Sequence, residues 1–216
     1  MRSRRDEYSD ASRRALLESA RTLFTARGFA ATSLDEVAAD ARLTKGAVYH
    51  HFENKQALFE AVLDELEEET VGAILEAAGA YESVWEGGLA GLDTFLDKCL
   101  EPTYQRLCFQ EGPVALGFVR WWECGERHEI GLIKALMQAL RSDGLLDVDN
   151  LDVLTRILYG SLAAGALAIA RADDPKAERD AIRDVVVRTI EGLRPPRAPR
   201  PTAAPRRPRR NTTKRP

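Results

Sequence analysis

The residues best equipped for chemistry in this sequence form one short run, Thr44-Lys45-Gly46-Ala47-Val48-Tyr49-His50-His51, with Lys55 just beyond it. Their types suit recognition of a polyanion. A hydroxyl at a helix start (Thr44) with a lysine beside it favours a phosphate, because the N–H groups and dipole of the first turn attract negative charge. Tyr49 can give a hydroxyl hydrogen to a phosphate, and Gly46 and Ala47 are small enough for a helix to lie close against base edges. Thr32, Ser33 and Lys55 occupy comparable places at two neighbouring helix starts. Val48 and Phe52 fall on the opposite face and point inward, so Lys45, Gly46, Ala47, Tyr49 and His50 make the outward surface. These features describe a phosphate clamp around a thin reading head.

Other groupings promise less. His50 and His51 suggest a metal, but adjacent helical residues diverge by about 100° and no third ligand is near, so no metal site is expected. An exposed His50 beside a buried, hydrogen-bonded His51 is the plainer reading. Glu123, Cys124 and His128 could serve a nucleophile, yet nothing nearby supplies an oxyanion site. The chain is therefore read as no enzyme and without a cofactor. Three cysteines, Cys99, Cys108 and Cys124, are an odd count at irregular spacing. They fit neither a disulfide framework nor a zinc site, and read as small buried hydrophobes or, less simply, as redox sensors.

The elements that must hold the run in place are helices. Leu16, Ala20, Leu23 and Phe24 make one stripe on a helix over about 10–27, closed by Gly28, with Phe29 packing back. Ser33-Leu34-Asp35-Glu36 is a capping-box pattern opening a second helix. Leu34, Val37, Ala38 and Ala41 form its inner face. Thr44 caps a third helix over 45–51, and Asn54 a fourth from Lys55 to near Ala80, with Leu58, Val62 and Leu66 in line. Two helices joined by the tight turn at Arg42-Leu43 make a helix-turn-helix, whose second helix enters the major groove. Beyond, helical periodicity predicts segments near 84–100, 103–109, 113–122, 126–141, 150–172 and 176–193. The fold class is all-α: an N-terminal three-helix head over 1–54, a larger helical domain over 55–193, and a tail over 194–216.

The segment from Thr32 to Phe59, above all Thr-Lys-Gly-Ala-Val-Tyr-His-His-Phe at 44–52 and Lys55, closely resembles the DNA-binding domain of tetracycline-repressor (TetR-type) regulators. The close match covers roughly residues 10–60. The resemblance implies a homodimer whose C-terminal domain binds a small effector and releases the head from an inverted-repeat operator in double-stranded DNA. By position it implies Thr32, Thr44, Lys45, Gly46, Tyr49, His50 and Lys55 as DNA contacts. One departure is Arg42, at a turn position that such regulators usually give to glycine. A positive φ there costs roughly 1 kcal/mol.

Charge is segregated along the chain. The net charge is -3, but residues 1–55 carry +2, 56–193 carry -14 and 194–216 carry +9. The acidic body should stay off DNA. The tail holds seven of the ten prolines and no large apolar residue, so it should lack fixed structure. It either adds sequence-independent DNA affinity by counterion release or serves only solubility. The longest strongly apolar stretch, residues 157–170, is short of the roughly 20 residues a spanning helix needs, and no apolar segment follows the N-terminal arginines, so a cytoplasmic protein with no membrane association is expected. That stretch, apolar nearly all round with Gly160, Ala164 and Ala168 as a smooth strip, is expected to pair with a second copy through residues of about 150–193. Phe95, Tyr104, Phe118, Trp121 and Trp122 are the candidates to line a mainly apolar effector cavity. Two other functions stay open: a small-molecule-binding protein with a vestigial head, and a nonspecific DNA-coating protein using head and tail.

Overall fold

The computed structural model describes residues 4–195, and among these every regular element is a helix. Helix α1 (Arg4–Arg27) begins six residues before the expected start at Asp10. Nothing in residues 4–10 breaks a helix, and Asp6 and Glu7 in the first turn complement its dipole. It ends at Gly28, whose φ of 84° provides the left-handed residue of a helix stop. Helix α2 (Leu34–Asp40) carries the complete capping box between Ser33 and Glu36. Helix α3 (Lys45–His51) is capped by Thr44, and α4 (Lys55–Gly79) by Asn54, each accepting a backbone N–H. Between α2 and α3, Arg42 takes a φ of 56°, the strained turn that its place in the sequence implied.

Apolar burial locks these helices around α4. Leu16, Ala20 and Phe24 of α1, Val37 of α2, Val48 of α3, and Leu58, Phe59 and Val62 of α4 are all wholly buried. Phe24 meets Phe59 edge-on at 5.1 Å, and Phe29 meets Phe59 at 5.2 Å. At about 2 kcal/mol for each buried large side chain, this cluster fixes the orientation of α3.

The body follows as α5 (Val84–Lys98), a short turn α6 (Pro102–Tyr104), a π-helical segment Gln105–Glu111, α7 (Gly112–Leu116), α8 (Phe118–Ser142), α9 (Leu151–Ile169) and α10 (Pro175–Glu191). Three expected segments, 103–109, 113–122 and 126–141, are rearranged. The break falls at Gly117, with φ 76°, and α8 runs unbroken through Gly125. Gly125 is there for space: a Cβ on it would lie 2.7 Å from the Tyr159 hydroxyl of α9. Helix α9 is 19 residues long and apolar enough to cross a membrane by length and composition alone, a feature that counting only its central apolar stretch overlooked. In this fold it lies between α8 and α10, with Leu154, Leu158, Ala166 and Ile169 buried. The tail expected to lack structure falls, from residue 196, outside the described residues.

Candidate functional site

The capping pattern and the inward Val48 and Phe52 turn the opposite face of α3 outward. Lys45, Gly46, Tyr49 and His50 are exposed, and Ala47 is half-exposed. A Cβ on Gly46 would meet nothing closer than the Thr44 hydroxyl oxygen at 3.8 Å, and its φ is ordinary. Neither conformation nor packing therefore demands glycine there. Lys45 reaches Asp35 of α2 at 2.9 Å and lies 5.9 Å from the Tyr49 ring centre. Hydrogen bonding to Asp35 raises the lysine's affinity for its proton. The Thr44 hydroxyl accepts the Ala47 N–H at 3.2 Å, leaving its hydrogen free to donate.

Two other sequence candidates face elsewhere. Thr32 is buried, and its hydroxyl donates to the Gly28 carbonyl at 2.9 Å. The Lys55 ammonium donates to the carbonyls of Phe29 (2.7 Å) and Thr32 (2.9 Å) and sits 4.3 Å from the Phe29 ring centre. Thr32 thus closes the α1–α2 loop on itself, and Lys55 ties that loop to α4. Ser33 is exposed, its hydroxyl donating to Glu36 Oε2 at 2.8 Å. Together, Thr32, Ser33, Asp35, Lys45, Tyr49 and Lys55 border a shallow open groove between the start of α2 and α3. His51 is half-buried and makes ring contacts with His50 (5.0 Å) and Phe52 (6.2 Å). Burial first, then His50, lowers its basicity.

The body holds a second candidate site, a half-open cavity of about 330 Å³ lined by α4, α5, α8, α9 and α10. Of the five expected aromatic residues only Phe95 lines it. Tyr104 and Trp121 belong to the core, where the Tyr104 hydroxyl donates to Glu67 at 2.9 Å and the Trp121 indole N–H to the Cys108 carbonyl at 2.6 Å. Phe118 is 63% exposed on the surface. Trp122 packs on Tyr159 at 4.8 Å. Aliphatic side chains dominate the wall, with Trp85 and the glycines 87, 88 and 91 of α5. Glu129 is the one acidic residue among the described residues that line it. The missed signal lies in α8: Glu129 occupies a helical stripe otherwise filled by Leu132, Ile133, Leu136 and Leu140.

Ion pairs and hydrogen bonds tie α8 to α4, and the π-helical segment to the head. On α8, Arg120 reaches Glu60 at 2.6 Å, and both Arg127 and His128 reach Asp64, at 3.0 and 2.9 Å. Despite the cost of its burial, these partners hold Asp64 below the usual carboxylate range. Glu111, at the end of the π-helical segment, accepts the Phe29 N–H at 3.1 Å, directly at the head. Burial drives the thiols of Cys99, Cys108 and Cys124 up, so they stay protonated and poorly nucleophilic. No group of three or more His, Cys, Asp or Glu suited to a metal occurs among the described residues.

The apolar strip of α9 is partly free. Val153, Ile157 and Ala164 are exposed, as is Val185 of α10. Gly160 instead faces its own chain's Trp122, whose ring would lie 3.5 Å from an added Cβ.

Known proteins match this arrangement in both parts. The family described as "Bacterial regulatory proteins, tetR family" matches residues 16–62, and "Tetracyclin repressor-like, C-terminal domain" matches residues 85–193. A solved TetR-family transcriptional regulator from Pectobacterium atrosepticum superimposes with a TM-score of 0.78 at 31% identity, covering 92% of this chain and 100% of that one. The transposon Tn10 TetC protein of Escherichia coli is 27% identical over 146 residues, 68% of this chain and 74% of that protein. The HTH-type transcriptional regulator TtgR of Pseudomonas putida is 42% identical over 65 residues, 30% of this chain and 31% of its own length.

Proposed function

Because the chain belongs to the tetracycline-repressor family of bacterial transcriptional regulators, we propose that it is a repressor that binds an inverted-repeat operator as a homodimer and leaves it when a small, mainly apolar effector fills the cavity in its body. The observation that carries this reading is the outward face of α3. Gly46 has no structural need to be glycine, so its smallness serves an outside partner, and Lys45, Tyr49 and His50 surround it. Thr44 and Ser33 complete the phosphate contacts. Thr32 and Lys55 act one step behind, by holding the α1–α2 loop through its carbonyls.

Each head reads one half-site, so the two recognition helices must sit about one helical turn (~34 Å) apart or slightly more. The exposed Val153, Ile157 and Ala164 of α9 and Val185 of α10 form the face that covers a second copy. Effector in the cavity bears on α8. That helix pulls on α4 through Arg120, Arg127 and His128, and α4 carries the head. A tenfold preference of the effector for the released state corresponds to roughly 1.4 kcal/mol of coupling.

Selection from a random duplex pool tests the reading, with the full chain and with residues 1–193. Enrichment of one inverted repeat by both is expected. Binding without enrichment would point to a DNA-coating protein, and absence of binding from a folded dimer would make the head a relic.

A further inference from the structure

The cavity wall offers a ligand one polar residue, and that residue is an acid. Glu129 is half-buried and lines the cavity. Behind it, Glu67 of α4 is 6% exposed, and its carboxyl lies close enough to that of Glu129 for each to bear on the other's proton. No lysine or arginine among the described residues pairs with either. Tyr104 donates to Glu67 at 2.9 Å, Cys99, Cys108 and Tyr159 face the pair from other helices, and His128, the nearest base, is engaged with Asp64. Two neighbouring acids, one buried and one half-buried, without a lysine or arginine partner are costly to ionise together. Burial and its neighbour Glu67 accordingly hold the Glu129 proton well above the ordinary carboxylate range.

We infer that the effector is a compact apolar molecule carrying a single cationic nitrogen, whose charge sits against Glu129 while its body fills the aliphatic wall. The inference rests on the cavity being the effector site. An anionic ligand would meet an acid, with no lysine or arginine among the described residues that line the wall. A ligand with several neutral polar groups would leave most of them unpaired in an apolar chamber. One charge on an apolar body matches one acid on an apolar wall, and Phe95 and Trp85 add ring faces that favour cations. Trp85 already lies 4.0 Å from the Arg194 guanidinium.

The proton balance is explicit. Free protein holds Glu129 as the neutral acid. On binding, the carboxyl's O–H bond breaks, its proton leaves to solvent, and the carboxylate pairs with the ammonium, so about one proton is released per ligand. Affinity for the cation therefore rises with pH through the range where Glu129 would ionise, and levels off above it.

The test is calorimetric titration of the full chain with 1-naphthylmethylamine and its neutral isostere 1-naphthylmethanol, in two buffers of different ionisation enthalpy. The amine should bind at least about tenfold more tightly and release a proton. Glu129→Gln should abolish both the preference and the release while keeping the alcohol's affinity. Leu132→Trp, which fills the cavity beside Glu129, should block both probes without unfolding the chain, as checked by circular dichroism. Equal binding of the two probes, or unchanged amine binding by Glu129→Gln, overturns the cationic assignment and leaves the cavity an effector site. Failure of both probes to bind, or binding indifferent to a folded Leu132→Trp, overturns the effector cavity and the assignment with it.

Discussion

The head and the body solve opposite problems with the same element. On α3 a short helix buries Val48 and Phe52 and offers its small and polar residues to the outside, where Gly46 leaves room that no described residue uses. On α8 a long helix turns its aliphatic stripe and one acid, Glu129, toward a chamber inside the molecule. The first surface suits a rigid, charged, extended partner that cannot be enclosed. The second suits a small partner that must be desolvated to be recognised. What separates them physically is where the water goes: the phosphate contacts proposed for the head would stay wet and sensitive to salt, whereas a ligand in the cavity would gain from burial and be penalised for every unpaired polar group.

That contrast can be broken by mutation, and the largest effect should come from Gly46→Leu. The leucine has open space, so the melting temperature should hardly move, yet duplex affinity should fall at least ~100-fold, about 2.7 kcal/mol. A marked loss of stability would mean that the glycine serves the head's own packing. Next, Ile157→Glu should weaken dimerisation in sedimentation equilibrium and lower operator affinity by on the order of ten- to a hundredfold, since each half-site then binds alone. A monomeric variant with full affinity would sever the two functions.

Glu129→Gln sharpens the other side. The folded chain keeps the Glu129 proton to higher pH than the unfolded chain, whose carboxyl ionises near its ordinary value of 4.5. Above that value the unfolded state binds fewer protons, so stability falls as pH rises toward the folded value. The glutamine variant has no such proton to lose. It should match the parent near pH 4 and exceed it by roughly 1–2 kcal/mol near pH 8 in urea titrations. A parallel pair of pH profiles would show that Glu129 ionises normally. The smallest effect is Tyr49→Phe, one phosphate hydrogen bond worth about 1 kcal/mol, lost equally from all DNA sequences. Substitutions at Lys45 or His50 should instead change which sequence is preferred.

The same contrast governs how much could be read from the sequence. The head was legible because its signals are local: the capping box at Ser33 and Glu36, the stop at Gly28, the caps Thr44 and Asn54, and the inward spacing of Val48 and Phe52. Even the strained turn at Arg42 could be placed. What local spacing did not carry was the inward turn of Thr32 and the engagement of Lys55, because both depend on carbonyls of a loop that bends back over α4. The cavity was largely illegible. Aromatic residues drew attention to Tyr104, Phe118, Trp121 and Trp122, yet burial in a core and exposure on a surface look alike in a helical sequence. On its α5 side, Gly88 faces Leu136 in an α8 stripe that only the tertiary fold brings opposite, while Gly87 and Gly91 let α5 approach α4 closely.

The claim that joins the two regions is that filling the cavity frees the head. The direct measurement is fluorescence anisotropy of the selected duplex bound to the full chain, titrated with 1-naphthylmethylamine, beside the same titration of Leu132→Trp. The account predicts that the amine releases the duplex from the parent and leaves the variant bound, at concentrations where calorimetry finds the parent's cavity saturated. A saturated cavity with the duplex still bound, or equal release from both proteins, would contradict it.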